Sequence, residues 1–252
     1  MPTTFCQNLR IALLILSICL VSKAFGVDSI FPTLSDDFEG KSIASFWLPP
    51  NYGSGLYVPR AVKTSTNFAR SGTQSLEMTV HENDIAQDGG DGHMTERADM
   101  DSGHFALLDK EAWYAFSILF PTNFPIVNNR LVFGSCKQGD VPRPILAQRF
   151  RNGRHTFTIE SQGKRKEYKL PKLELGKWYD MTYHVRYATN QAGIVEVWMN
   201  GKKVVSYAGP TAEPAYKKTF YHKIGLYRDR IAAPMTAYFD NYVCSLEPIK
   251  PK

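Results

Sequence analysis

Cysteine is scarce in this 252-residue chain, four in all, and no CxxC pair occurs, which removes the usual thiolate zinc and dithiol redox motifs. Neither HExxH nor GxSxG is present, and no glycine-rich phosphate loop opens a helix. Zinc proteolysis, serine hydrolysis and nucleotide chemistry therefore lack their familiar residues. The histidines, His81, His93, His104, His155, His184 and His222, are scattered without metal-ligand spacing. Sustained apolar periodicity at 3.6 residues is missing, and with it the case for a helical protein. Only one long apolar run exists, and it sits at the N-terminus.

That run, Ile11 to Val21, follows a single charge, Arg10, and precedes Ser22-Lys23-Ala24-Phe25-Gly26. This is the order of a secretory signal peptide, with small residues at either cleavage point; the alternative is an uncleaved N-terminal anchor. The run is shorter than the roughly 20 residues that span a bilayer. Residues 1–26 are thus expected to be a signal and 27–252 a single domain, secreted to an extracellular or periplasmic space. Cleavage would remove Arg10 and Lys23 and no carboxylate, taking the net charge from +6 to +4. A basic protein suits nucleic acid, an anionic membrane or an acidic polysaccharide. Export argues against nucleic acid, and without the signal nothing holds the chain to a membrane. Of the cysteines only Cys136 and Cys244 remain, both in strand-like apolar surroundings. A disulfide and two buried free thiols are both open.

The content of 43% hydrophobic and 21% charged residues, with 15 Phe and 13 Tyr, excludes a disordered chain. Period-2 segments bounded by Gly, Pro and Asn recur every 10–20 residues, which predicts an all-β protein. The strand candidates are 75–80, 113–120, 130–137, 145–150, 155–161, 178–187, 194–199, 203–207, 221–227 and 237–244. Asn200-Gly201 between two of them supplies the positive φ angles of a type I′ hairpin. Ten or so strands without repeats or a linker imply one β-jelly-roll sandwich of two antiparallel sheets, with a concave cleft.

Charge is unevenly placed on this sandwich. Residues 82–101 hold seven carboxylates and one arginine, whereas residues 134–177 hold eleven cations and four acids. The Gly-rich stretch Asp84 to Asp91 reads first as a solvated loop and second as a Ca²⁺ loop. Gly163-Lys-Arg-Lys-Glu reads as a charged hairpin tip. A sandwich-type glycoside hydrolase would need carboxylates alternating on one strand; Glu96-Arg-Ala-Asp99 and Phe239-Asp240-Asn-Tyr do not alternate. In Tyr221-His-Lys-Ile-Gly-Leu-Tyr-Arg228, by contrast, strand alternation gives one face to Tyr221, Lys223, Gly225 and Tyr227. The other face takes His222, Ile224 and Leu226 into a core. The first face is either an amphipathic half-exposed surface or a site, with Gly225 leaving room for something to approach.

Several pieces together resemble the polysaccharide lyases of the heparin-lyase-I-like and glucuronan-lyase group. They are, in order, Asp37-Phe-Glu-Gly, Thr95-Glu-Arg-Ala-Asp-Met, Trp113-Tyr-Ala-Phe-Ser-Ile-Leu-Phe-Pro121, Gly176-Lys-Trp-Tyr-Asp, Gly193 through Gly201, and Tyr221–Arg228 followed by Tyr238-Phe-Asp-Asn. The Tyr-x-Lys-x-Gly-x-Tyr pattern is also similar to that of jelly-roll alginate lyases. The resemblance implies β-elimination on an acidic, uronate-containing polysaccharide. It implies Tyr221 as proton carrier, Lys137 and Arg97 as neutralisers of the substrate carboxylate, and Lys223, Ser135 and Tyr227 as substrate contacts; Arg143, Arg149 and Arg228 read either as further donors to the substrate or as solvated strand edges and structural ion pairs. An arginine suits the first task because a planar guanidinium grips a carboxylate with two prongs. A phenol starts near a pKa of about 10, so a cation such as Lys223 beside it favours the phenolate. Relatives commonly carry Gln-x-His or Gln-x-Lys on the strand that here reads Phe133-Gly-Ser-Cys-Lys-Gln138, so Ser135 stands at the Gln position and Lys137 at the basic one. No metal or cofactor is implied, apart from the Ca²⁺ reading above, and a monomer is expected. The rival readings are a non-catalytic carbohydrate-binding protein on the same scaffold and a sandwich-fold hydrolase.

Overall fold

The computed structural model describes residues 33–48, 61–85, 95–103 and 105–252; the expected signal, residues 1–26, lies outside them. Among the described residues fifteen strands follow one another: β1 (Thr33–Asp36), β2 (Val62–Ser65), β3 (Ser75–Val80), β4 (Thr95–Asp101), β5 (Ala106–Leu107), β6 (Glu111–Leu119), β7 (Leu131–Gln138), β8 (Leu146–Arg151), β9 (Arg154–Ser161), β10 (Lys164–Lys169), β11 (Trp178–Arg186), β12 (Ile194–Met199), β13 (Lys202–Ala208), β14 (Thr219–Asp229) and β15 (Met235–Ser245). One antiparallel sheet runs β13-β12-β11-β6-β15-β3-β2, with β1 paired to β15; the other runs β10-β9-β8-β7-β14-β4, with β5 paired to β14. This is the two-sheet jelly-roll sandwich expected from the alternation. Among the described residues there is no helix, so none is long and apolar enough to cross a membrane.

The core lies between the sheets, and β14 shows why its strands hold their register. Phe220, His222, Ile224, Leu226 and Arg228 all turn inward and are almost fully buried. Phe220 stacks on Tyr187 with centroids 3.8 Å apart, and His222 stacks on Tyr114 at 4.8 Å. Each fully buried Phe, Ile or Leu contributes about 1.5–3 kcal/mol, so a slip of one residue, which would exchange the two faces, is strongly disfavoured. Asn200-Gly201 has the expected positive φ pair, and Asn152-Gly153 and Gln162-Gly163 make the same kind of turn.

One expectation needs correction, and β1, β2, β4, β5 and β10 were not among the strand candidates. The segment read as a charged hairpin tip is the edge strand β10; only Gln162-Gly163 forms the turn. Nearly every β10 side chain is exposed, so no apolar alternation marked it, and its lysines and arginine guard an open sheet edge. Strand β4 was hidden for the opposite reason: it is buried along most of its length although four of its seven residues are charged. Cys136 on β7 and Cys244 on β15 belong to different sheets and are buried free thiols. Burial pushes the Cys136 thiol up to about 12 and Cys244 well above its ordinary value, which makes both inert at neutral pH. Of the acidic loop, Asp84 turns inward, where its carboxylate accepts the His81 backbone N–H at 2.8 Å. Asp88 and Asp91 lie outside the described residues.

Candidate active site

The seven-stranded sheet carries a cleft of about 920 Å³ on the face turned away from the core. Among the described residues its lining contains nine arginines and lysines against three carboxylates, which gives the cavity a strong positive potential. Register places the key residues side by side. On β14 and β7, Tyr221 stands opposite Lys137 and Lys223 opposite Ser135; on β14 and β4, Tyr227 stands opposite Arg97 and Lys223 opposite Asp101. Directly opposed residues have Cβ atoms only about 4.5–5.5 Å apart. Arg97, Ser135, Lys137, Lys223 and Tyr227 line the cleft. Tyr221, half-buried, flanks it with its ring 5.7 Å from Lys223 Nζ.

A buried carboxylate that the sequence reading weighed only as a hydrolase residue organises these cations. Asp99 on β4 accepts a hydrogen bond from Arg97 Nη2 at 3.1 Å, with Arg97 Nε at an ion-pair distance of 3.1 Å and Lys223 Nζ 3.9 Å away. Burial alone would raise its pKa, but the charges of Arg97, Lys223 and Lys137 outweigh that, and the carboxyl is held below its ordinary value. Arg97 is thus ion-paired with a carboxylate of its own strand through one hydrogen bond. The resemblance gave Arg97 a two-pronged grip on the substrate carboxylate; in this structure its guanidinium lies at the edge of the cleft against Asp99. The same guanidinium lies 5.0 Å from the Tyr227 ring centre, and Arg130, also absent from the candidates, lies 5.3 Å from the same ring.

Gly225 also differs from expectation. Its φ is +132°, and a Cβ built there would come within 2.4 Å of the Ala98 carbonyl oxygen and of Asp99 Cα. What approaches this glycine is the neighbouring strand β4, and the absence of a side chain lets β14 carry Lys223 against Asp99. On β7 the register shifts between Val132 and Gly134, and a Cβ at Gly134 would lie 2.8 Å from the Tyr183 hydroxyl. The bulge leaves Phe133 and Gly134 with the core while Ser135 and Lys137 keep the cleft face.

Arg228 is not in the cleft. It is fully buried on the core face, 2.8 Å from Glu96 through Nη2, and it donates to the carbonyls of Ala233 and Ile231. Its even position, shared with His222, Ile224 and Leu226, was the signal available for this. Arg143 and Arg149 do line the cleft, further from Tyr221; Arg143 is 77% exposed and bound to Glu160 at 2.9 Å. The carboxylates do not form a hydrolase pair. Glu96 is sealed in the core with Arg228, and Asp240 belongs to β15 of the other sheet, accepting the backbone N–H groups of Arg70 and Ser71. In the cleft, Asp99 has a lowered pKa, the reverse of what a general acid needs. Among the described residues no cluster of ligating side chains suits a metal ion.

A family model described as polysaccharide lyase matches residues 36–243. A search of curated protein sequences finds no match. Among solved structures, the endo-β-1,4-glucuronan lyase from the fungus Trichoderma reesei superposes with a TM-score of 0.61 at 15% identity, covering 80% of this chain and 94% of that one. An alginate lyase of polysaccharide lyase family 7 gives 0.60 at 13% identity over 79% and 93% of the two chains. The cellulose-induced protein Cip1 gives 0.57 at 16% over 87% and 100%. At these identities the likeness shows a shared fold.

Proposed function

Since the chain belongs to the polysaccharide lyase family, we propose that it cleaves a uronate-containing polysaccharide by β-elimination, with Tyr221 moving the proton and Arg97, Lys137 and Lys223 balancing the substrate's carboxylate. The observation that carries this reading is the juxtaposition of a tyrosine with two lysines and an arginine on one face of a cationic cleft. Neutralising the carboxylate acidifies the adjacent C5–H. The Tyr221 phenolate, stabilised by Lys137 opposite and Lys223 on the same strand face, takes that proton. The C–H electron pair becomes the C4–C5 double bond as the C4–O4 bond breaks, and the departing O4 recovers the proton from the tyrosine. In glucuronate- or mannuronate-type sugars H5 and O4 lie on the same side of the ring, so one residue serves both steps. Ser135, opposite Lys223, contributes a hydroxyl where relatives commonly carry an amide.

Glucuronan and alginate, the polymers named for two of the similar structures, both satisfy this chemistry. The reading extends to export, because residues 1–26 have the order of a secretory signal and a polysaccharide is met outside the cell. Every residue invoked comes from one chain, so a monomer suffices. The test is optical: the conjugated product absorbs in the near ultraviolet, and absorbance is expected to rise when the protein meets polyglucuronate or polymannuronate. Binding of these polymers without absorbance would turn the reading to a carbohydrate-binding protein, and new reducing ends without absorbance would turn it to hydrolysis.

A further inference from the structure

Arg149 sits on the cleft floor in a setting that the reaction itself does not require. Its Nε donates to the Thr158 hydroxyl at 3.1 Å, and that hydroxyl in turn donates to the Ala147 carbonyl, which fixes the guanidinium's orientation. Arg151 of the cleft donates to Asn128, while three other cleft arginines have carboxylate partners: Arg130 pairs with Asp229, Arg143 with Glu160, and Arg165 with Glu160 and Glu167. Arg149 has none among the described residues. Burial first, and then the like charges of Arg165 and Arg130, lower its pKa to about 10, with Glu160 and Glu167 offsetting only part. A half-buried guanidinium with one edge anchored and its terminal nitrogens facing a cavity lacks a counter-anion.

Its distance from Tyr221 determines which anion can reach it. Arg149 pairs with Val132 of β7, whereas Tyr221 pairs with Lys137 of the same strand. The separation is two strand spacings across the sheet and five residues along it, on the order of 15–20 Å between backbones. One sugar does not touch both. We propose that Arg149 is the centre of a remote anion subsite, which binds a carboxylate on a sugar removed from the scissile bond and so selects long polyuronates with regularly repeated charge. This rests on the lyase reading above and narrows its substrate to densely anionic chains, as against polymers in which a single uronate is flanked by neutral sugars.

The experiment compares kcat/KM on long polyglucuronate with kcat/KM on a trisaccharide of the same sugar. Wild type is expected to favour the long chain, and Arg149→Gln to reduce that advantage about tenfold, the usual weight of one charge-assisted hydrogen bond. Arg149→Lys should restore part of it, and the wild-type advantage should shrink as salt is raised. A long polymer bearing isolated uronates should show no such advantage. An advantage unaltered in Arg149→Gln, insensitive to salt, or equal on the sparsely charged polymer overturns the subsite. If Arg149→Gln does not fold, the salt and polymer arms still decide. If wild type yields no absorbance on any uronate, the lyase reading fails, and calorimetric affinity for long and short uronates in wild type and variant then decides the subsite separately.

Discussion

Arg97 and Arg228 lie on neighbouring strands, each bound to a carboxylate, yet one faces the cleft and the other the core. Arg228 meets Glu96 one to one, both fully buried, and its remaining donors are closed by the Ala233 and Ile231 carbonyls. Arg97 shares the Asp99 carboxylate with Lys223, while Lys137 adds its charge nearby. The first group is electrically complete and excludes water. The second, among the described residues, has more cation than anion and opens onto a cavity. An ion pair is thus a poor indicator of function in either direction; the charge balance around it and its access to solvent carry the information.

The largest effect that separates the two faces should come from the core. Arg228→Ala leaves Glu96 buried and unpaired, and is expected to cost roughly 3–5 kcal/mol of stability, measured by chemical denaturation. Arg97→Ala should lose a comparable free energy in turnover instead, roughly 3–4 kcal/mol or a few hundredfold in kcat, while its denaturation midpoint moves far less. A large stability loss in Arg97→Ala with kcat preserved would erase the distinction.

Acid gives a smaller separation. Burial lowers His222 to about 3 and His155 to about 4, against about 6.5 unfolded. The unfolded chain therefore binds more protons between these values, so stability is full above pH 6.5 and falls as pH drops toward 4 and below, by on the order of a few kcal/mol. His222→Phe, which keeps an aromatic ring against Tyr114, should flatten that slope in unfolding curves recorded from pH 7 to 4; an unchanged slope would assign the acid sensitivity elsewhere. The smallest effect belongs to the rim. Arg143→Ala should weaken polymer binding by no more than about threefold at moderate salt, because its exposed pair with Glu160 is screened by solvent.

Interiors of the longer strands were legible where one face met the core, as in β3 and β12, whose bounds agree with the alternation, whereas β1, β2 and β5, of four residues or fewer, are too short to show a period. They were illegible where that contrast failed: β10 exposes nearly every side chain, and β4 buries its charges. The faces of β14 were readable as well, but Arg228 was assigned by its charge when its position already placed it with His222 and Leu226. Asp99 had no local signal, because its role depends on β4 lying beside β14 with Gly225 between them. Arg130 was read as the start of a strand and gains its meaning only from Tyr227, almost a hundred positions away in sequence.

The central claim is that the cleft face of β14 performs proton transfer, and Tyr221→Phe tests it most directly. The hydroxyl is removed while the ring and the core face remain. On polyglucuronate, the rise in near-ultraviolet absorbance should fall by roughly 10³-fold or more, with the circular dichroism spectrum and polymer binding retained. Turnover within a few-fold of wild type in a folded Tyr221→Phe protein would contradict it.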